Sequence, residues 1–125
     1  MSRHPERIRD YVEHMLDAIE RIQSYTDNRS WDSFEEERML QDAVLRNLGI
    51  LGEASKRVLD NATVEFLDSC EVAFARIYAM RNQIEHGYDN VDLEIVWNLV
   101  QQRIPELKGQ LLSLMARLSE DPASD

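Results

Sequence analysis

An arginine, an asparagine, a histidine and a tyrosine fall within the eight residues from Arg81 to Tyr88. Asn82 follows Arg81 directly, and His86 precedes Tyr88 by two positions. A guanidinium group can donate two parallel hydrogen bonds to one phosphate. A histidine can take or give a proton at neutral pH. The stretch therefore indicates either a polar helix end or a small site that handles phosphate.

Arg81 and His86 could together cleave RNA without a metal ion. His86 would assist attack by the ribose 2′-hydroxyl or protonate the leaving 5′-oxygen, while Arg81 stabilises the charge that builds on phosphorus. Asn82 could orient His86 or donate to a phosphate oxygen. Tyr88 could stack on a base or hydrogen-bond to the site. Arg81 and His86 are thus the catalytic candidates, with Asn82 in support.

The spacing of these residues sets a geometric condition. In a regular helix, Arg81 and His86 point about 140° apart, because each residue turns the chain by about 100°. They can cooperate only if the helix ends or distorts between them, or if a second copy of the chain supplies one of them. Gly87 is predicted to end the helix in a left-handed conformation, which would make a distortion plausible.

An ordinary structural account competes with this one. His86 would complement the helix dipole, Arg81 and Glu85 would form a routine ion pair, and Tyr88 would be a packing residue. From spacing alone, this ordinary account is favoured.

Composition narrows the class of protein. The 125 residues carry a net charge of -10, which argues against a surface devoted to nucleic acid but not against a local basic site. Cys70 is the single cysteine, so neither an intrachain disulfide nor a cysteine-based metal site is expected. His4 and His14 lie ten residues apart without a partner cluster. We therefore predict neither a metal nor a cofactor.

No apolar run approaches the roughly 20 residues needed to span a bilayer. The N-terminal segment "MSRHPERIRD" is charged and lacks the apolar core of a signal peptide. These features predict a cytoplasmic protein without a membrane anchor.

Apolar residues at three- and four-residue steps predict helices along most of the chain. The first covers residues 5–26, and a second starts near Ser33, capped by Ser33 with Glu36 or by Asp32 with Glu35. It runs to about residue 59. Gly49 and Gly52 lie on one side of it and form the best candidate for a close helix contact.

A third helical region covers about residues 64–86, with a break near Asp68–Cys70. Asp92 can cap the next helix, which runs from Leu93 to about Leu118 with a kink near residues 103–104 ahead of Pro105. The prediction is an all-α, antiparallel bundle of four to five helices. It forms one domain over residues 1–118, and the tail 119–125 is expected to be disordered.

Two sequence blocks together resemble a known family. The segment "MRNQIEHGYDNVDLEIVWNLVQQRIPELK" is similar to the HepT-like branch of the HEPN superfamily, whose motif is Arg, four residues, His, any residue, Tyr. Arg81, His86 and Tyr88 meet this motif. "DAVLRNLGILGEASKRV" (residues 42–58) resembles a second block of that family.

This resemblance implies a helical bundle that forms a homodimer, with both motifs facing a cleft at the interface. It implies metal-independent RNA cleavage by Arg81 and His86. It further implies a toxin whose antitoxin is a minimal nucleotidyltransferase of the MntA type, which attaches AMP units to Tyr88. Each AMP would bring a phosphodiester beside Arg81 and His86 and so exclude RNA.

Two residues depart from the family pattern. Glu85 stands where relatives often carry an apolar residue, and Asp89 where an aromatic residue is common. Carboxylates beside the site repel RNA, so we expect them to weaken nuclease activity. The alternative is therefore a binding module that docks with a nucleotidyltransferase and is modified by it, with little cleavage of its own. A purely structural helical dimer ranks third.

Overall fold

The computed structural model describes residues 3–87 and 90–120. The predicted modification site, Tyr88, and most of the predicted tail, residues 121–125, lie outside the described residues. No described helix is both long enough and apolar enough to cross a membrane.

Within the described residues the chain forms seven α-helices and no strand, which confirms the predicted all-α fold. Four helices are long and three are short. A 3₁₀ turn at Pro5–Arg7 precedes the first helix, and a π-helical segment at Leu99–Arg103 precedes the last. The helices are α1 (Ile8–Thr26), α2 (Trp31–Glu36), α3 (Arg38–Asn61), α4 (Val64–Asp68), α5 (Phe74–His86), α6 (Leu93–Asn98) and α7 (Ile104–Glu120).

The core is built on α1 and α3, which run antiparallel. Their ends are joined twice. The His4 backbone N–H donates to Asn61 Oδ1 at 2.9 Å, and Arg29 pairs with Glu37 at the opposite end. Each fully buried aliphatic side chain in this pair contributes roughly 1.5–3 kcal/mol. The buried residues follow the helical period: Val12, Met15, Ile19 and Ile22 on α1, and Val44, Leu48, Leu51 and Val58 on α3.

The predicted second helix is divided into α2 and α3. The predicted caps, Ser33 and Asp32, are wrong, because the cap residue of α2 is Ser30. Ser30 caps α2: its hydroxyl accepts from the Ser33 N–H, and the Ser33 hydroxyl accepts from the Ser30 N–H, both at 3.2 Å. The chain leaves the helical conformation at Glu37 (φ -99°, ψ 96°). Gln41 Nε2 then donates to the carbonyls of Phe34 and Glu35 at 2.9 Å. These bonds satisfy groups that the end of α2 leaves without partners.

The predicted break after Asp68 is present, because residues 69–73 separate α4 from α5. Asp92 caps α6 as predicted, accepting from the backbone N–H groups of Glu94 and Ile95. The irregularity expected ahead of Pro105 is the π-helical segment, whose end is marked by an Ile104 N–H bond to the Leu99 carbonyl. The wider turn accommodates a proline, which has no N–H and crowds the preceding turn. Helix α7 continues through residue 120, beyond the predicted boundary at residue 118.

Candidate active site on helix α5

Helix α5 carries both catalytic candidates and is regular through its last residue, His86. Gly87 follows with φ -110° and ψ 24°, so the prediction of a left-handed glycine is wrong. Its N–H donates to the Gln83 carbonyl at 3.1 Å, which closes the last turn in the ordinary right-handed way. No distortion therefore brings Arg81 and His86 onto one face. Of the two conditions for cooperation, only a second copy of the chain remains.

The stem of Arg81 lies directly against α3. A Cβ atom added at Gly52 would lie 2.2 Å from Arg81 Cβ and 2.5 Å from its Cγ, so only glycine allows this approach. A Cβ at Gly49 would lie 3.7 Å from Glu85 Oε1. These paired contacts confirm the predicted close helix contact. They also show that α3 and α5 run antiparallel.

The Arg81 guanidinium is held by three groups of the same chain. Nη1 donates to Asn82 Oδ1 at 2.9 Å, and Nη2 lies 3.5 Å from Glu53 Oε2. Nε lies 3.1 Å from Glu85 Oε1, within ion-pair range but without the alignment of a hydrogen bond. The Arg81 side chain is 22% exposed. It is therefore a largely buried cation, and two carboxylates neutralise it.

His86 is exposed at the end of the same helix. Among residues 3–87 and 90–120, no hydrogen bond or ion pair involves its imidazole. Asn82, predicted to orient His86 or to donate to a phosphate oxygen, accepts from Arg81 through its Oδ1. Among the described residues, the structure thus joins Arg81 to Asn82 by a hydrogen bond and shows no such bond from either of them to His86.

Sequence reasoning missed two residues beside Arg81, Glu53 and Tyr78. Glu53 lies on α3 and is also 3.8 Å from Arg57 Nη2. The ring of Tyr78, one turn before Arg81, lies 5.9 Å from Arg81 Cζ and 5.8 Å from Lys56 Nζ. Two signals were available: Tyr78 and Arg81 are three residues apart on one helix face, and Glu53 directly follows Gly52. The Tyr78 signal could be read from α5 alone, whereas the Glu53 signal required knowing that α3 packs against α5.

Lys56 is the second cation of this face. Its ammonium lies 2.6 Å from both carboxylate oxygens of Asp60. The hydrogen bond to Asp60 raises the pKa of Lys56, which stays protonated across the neutral range. The face formed by α3 and α5 therefore alternates cations with carboxylates.

The described residues form an all-α fold, with an arginine and a histidine five residues apart at the end of one helix, as the HepT-like motif requires. Residues 15–114 match the profile of the family described as "Ribonuclease HepT-like". The chain therefore belongs to the HepT-like ribonuclease family, and the predictions of this family and of a ribonuclease are confirmed.

Similar proteins carry related names. "Probable ribonuclease HepT" of Thermococcus cleftensis is 34% identical over 85% of this chain and 94% of its own length. "Putative RNase TTE0752" of Caldanaerobacter subterraneus is 31% identical over 87% of this chain and 95% of its own length. "Gamma-glutamylcyclotransferase and putative RNase MJ0434" of Methanocaldococcus jannaschii is 34% identical over 91% of this chain, which spans only 50% of that protein. No solved structure matches the chain.

Proposed function

We propose that this protein cleaves RNA without a metal ion, using Arg81 to bind the scissile phosphate and His86 to move protons. The observation that carries the proposal is that helix α5 of this member of a ribonuclease family bears both Arg81 and His86. The guanidinium of Arg81 is fixed where α5 packs against α3, and the imidazole of His86 is exposed at the end of α5.

The reaction is an internal transesterification. The ribose 2′-oxygen forms a bond to phosphorus, and the bond from phosphorus to the 5′-oxygen breaks. The proton leaves the 2′-hydroxyl for a general base and reaches the 5′-oxygen from a general acid, and one imidazole can fill either role. Arg81 stabilises the charge on the phosphorane oxygens. The products are a 2′,3′-cyclic phosphate and a 5′-hydroxyl.

The geometry of α5 supports a homodimer as part of this proposal. Arg81 and His86 project from different sides of a regular helix, so one chain does not direct both at one phosphate. Two copies of α5 facing a shared cleft would supply Arg81 from one chain and His86 from the other. Such an interface is isologous, and it creates two equivalent sites.

The arrangement around Arg81 also favours a second candidate function. A phosphate must compete with the carboxylates of Glu53 and Glu85 for the guanidinium, and this competition weakens RNA binding. The alternative is a binding module that docks with a nucleotidyltransferase and is modified by it, with little cleavage of its own.

For either function we propose an antitoxin partner of the MntA type that acts on Tyr88. Transfer of AMP from ATP to the tyrosine hydroxyl releases pyrophosphate and leaves a phosphodiester two residues from His86. The support is the motif, in which Tyr88 follows His86 at the family spacing. The added negative charge would pair with Arg81 and exclude RNA. A toxin role and a cytoplasmic location belong to the same proposal.

Cleavage of single-stranded RNA by the purified protein, with EDTA present, tests the first function. We expect His86→Ala to slow cleavage by about 10²–10⁴-fold and Arg81→Ala by about 10²–10³-fold. His14→Ala, which changes an exposed histidine on α1, should leave the rate unchanged. If His86→Ala and His14→Ala cleave equally well, His86 has no catalytic role.

Co-expression with a minimal nucleotidyltransferase tests the partner. Intact-mass and peptide spectra should show AMP additions on Tyr88 and none on Tyr88→Phe. A stable complex and modification without RNA cleavage at any protein ratio would establish the binding module instead. Modification confined to another residue would contradict the role of Tyr88.

A further inference from the structure

Tyr78 lies between two cations on the face that carries Arg81. We call Lys56, Tyr78 and Arg81 the Tyr78 strip. The ring of Tyr78 is 5.8 Å from the Lys56 ammonium and 5.9 Å from the Arg81 guanidinium. Tyr78 is half-buried, and both cations lie over its ring. The strip spans the seam between α3 and α5, and the proposed reaction involves only one of its three members.

An aromatic ring flanked by cations suits single-stranded nucleic acid. Every base has a face that stacks on a tyrosine ring, and neighbouring cations pair with the phosphates of the same strand. Duplex RNA cannot use such a ring, because its bases are already stacked and its major groove is too narrow. The chemistry of the strip therefore fits an unpaired nucleotide beside the phosphate on Arg81.

We propose that the Tyr78 strip is a substrate subsite, in which the base of an unpaired nucleotide adjoining the scissile phosphate stacks on Tyr78 and its phosphate pairs with Lys56. This inference rests on the proposed RNA cleavage and adds a preference for single strands. In the free protein, Asp60 occupies the Lys56 ammonium and Glu53 contacts Arg81. Both carboxylates act as competitors that RNA must displace.

The competing carboxylate of Asp60 allows a test that distinguishes an RNA subsite from a packing role. Asp60→Asn removes the competitor but keeps the cation, so RNA binding should tighten. Lys56→Gln removes the cation, so binding should weaken. A network that merely stabilised α3 would give no such opposite changes in RNA affinity.

Fluorescence anisotropy with a labelled oligoribonucleotide of about eight residues, methylated at every 2′-oxygen to prevent cleavage, measures the subsite. We expect Tyr78→Leu, which keeps an apolar side chain without a stacking ring, to weaken binding by about five- to hundredfold. Tyr78→Phe should bind like the wild type. Lys56→Gln should lower the slope of log affinity against log salt by about 0.7. Lys108→Gln, a change of the other lysine in the chain, should leave the slope unchanged.

Three sets of results separate the subsite from the proposed function. If the wild type cleaves RNA while Tyr78→Leu and Lys56→Gln bind the oligonucleotide as it does, the subsite is wrong and the function stands. If the wild type neither binds nor cleaves, both fail. If it binds without cleaving and the variants weaken binding as expected, the subsite holds and the binding module is favoured. Equal competition by duplex and single-stranded RNA would overturn the stacking role of Tyr78.

Discussion

Replacing Gly52 with alanine would place a methyl carbon 2.2 Å from Arg81 Cβ and 2.5 Å from its Cγ. Carbon atoms in contact lie about 3.5–4.0 Å apart, so α3 and α5 would have to separate. The nearest atom, Arg81 Cβ, is attached to the backbone of α5. No rotamer change can therefore relieve the contact.

The expected loss of stability follows from two opposing terms. Overpacking costs about 1–3 kcal/mol, and this rigid contact belongs at the upper end. Alanine in place of glycine within a helix returns about 1 kcal/mol. We expect the free energy of unfolding of Gly52→Ala to fall by about 2 kcal/mol, and the melting temperature to fall by several degrees.

Two other glycines provide matched controls. Gly49→Ala lies on the same helix and would make only an ordinary contact of 3.7 Å with Glu85. Gly109→Ala on α7 would meet nothing within 4 Å. Both should keep or raise stability, by up to about 1 kcal/mol.

Urea and thermal unfolding of the three variants measures these differences. The separation of α3 and α5 also moves Arg81, so Gly52→Ala should cleave RNA more slowly than Gly49→Ala does. If Gly52→Ala is as stable as Gly109→Ala, the close approach of α3 to Arg81 is refuted.

Two further predictions concern the α2 cap and the cysteine. Ser30→Ala removes the acceptor for the Ser33 N–H and should lower the free energy of unfolding by about 1 kcal/mol in urea titrations. Ser113→Ala, on the exposed side of α7, should change it by less than about 0.5 kcal/mol. Equal effects of the two substitutions would contradict the cap. Burial raises the pKa of the Cys70 thiol, against a smaller opposing effect of Arg117, so at neutral pH iodoacetamide should alkylate the folded protein more slowly than the urea-unfolded chain. Because the pKa of the Cys70 thiol is higher in the folded protein than in the unfolded chain, its contribution to stability is full below the unfolded pKa and is lost as pH rises through the folded pKa. Equal alkylation rates of the folded and unfolded protein would contradict the raised pKa.

The sequence was sufficient to predict the fold class and one of its contacts. Apolar residues at helical steps identify the long helices, and the Gly49–Gly52 spacing indicates the close contact that α5 makes. The division of the second helix was not predictable from its own residues. The Gln41 side chain, seven positions beyond Phe34, donates to carbonyls at the end of α2, and Glu37 pairs with Arg29 in the connection between α1 and α2. These side-chain contacts, which span seven and eight residues, accompany the break at Glu37, and helix propensity alone does not reveal them.

The candidate site was predictable only in its residue types. The motif identifies Arg81 and His86, and Glu85 was expected to lie beside Arg81. The contact of Arg81 with Glu53 depends on the register of α3 against α5, which no local pattern fixes. The contact with Tyr78 lies within α5 and was available from the three-residue spacing. The Gly87 prediction failed for a local reason, because the Gly87 N–H closes the last turn of α5 in a right-handed conformation.

Mixing two inactive variants tests the central claim, that Arg81 of one chain cooperates with His86 of another. Arg81→Ala and His86→Ala are co-refolded in equal amounts, and RNA cleavage is measured with EDTA present. Random pairing makes about half of the dimers mixed, and each mixed dimer holds one intact site, so the mixture should recover about a quarter of wild-type activity. Activity no higher than that of either variant alone, in a mixture shown to contain mixed dimers, would contradict a site shared between chains.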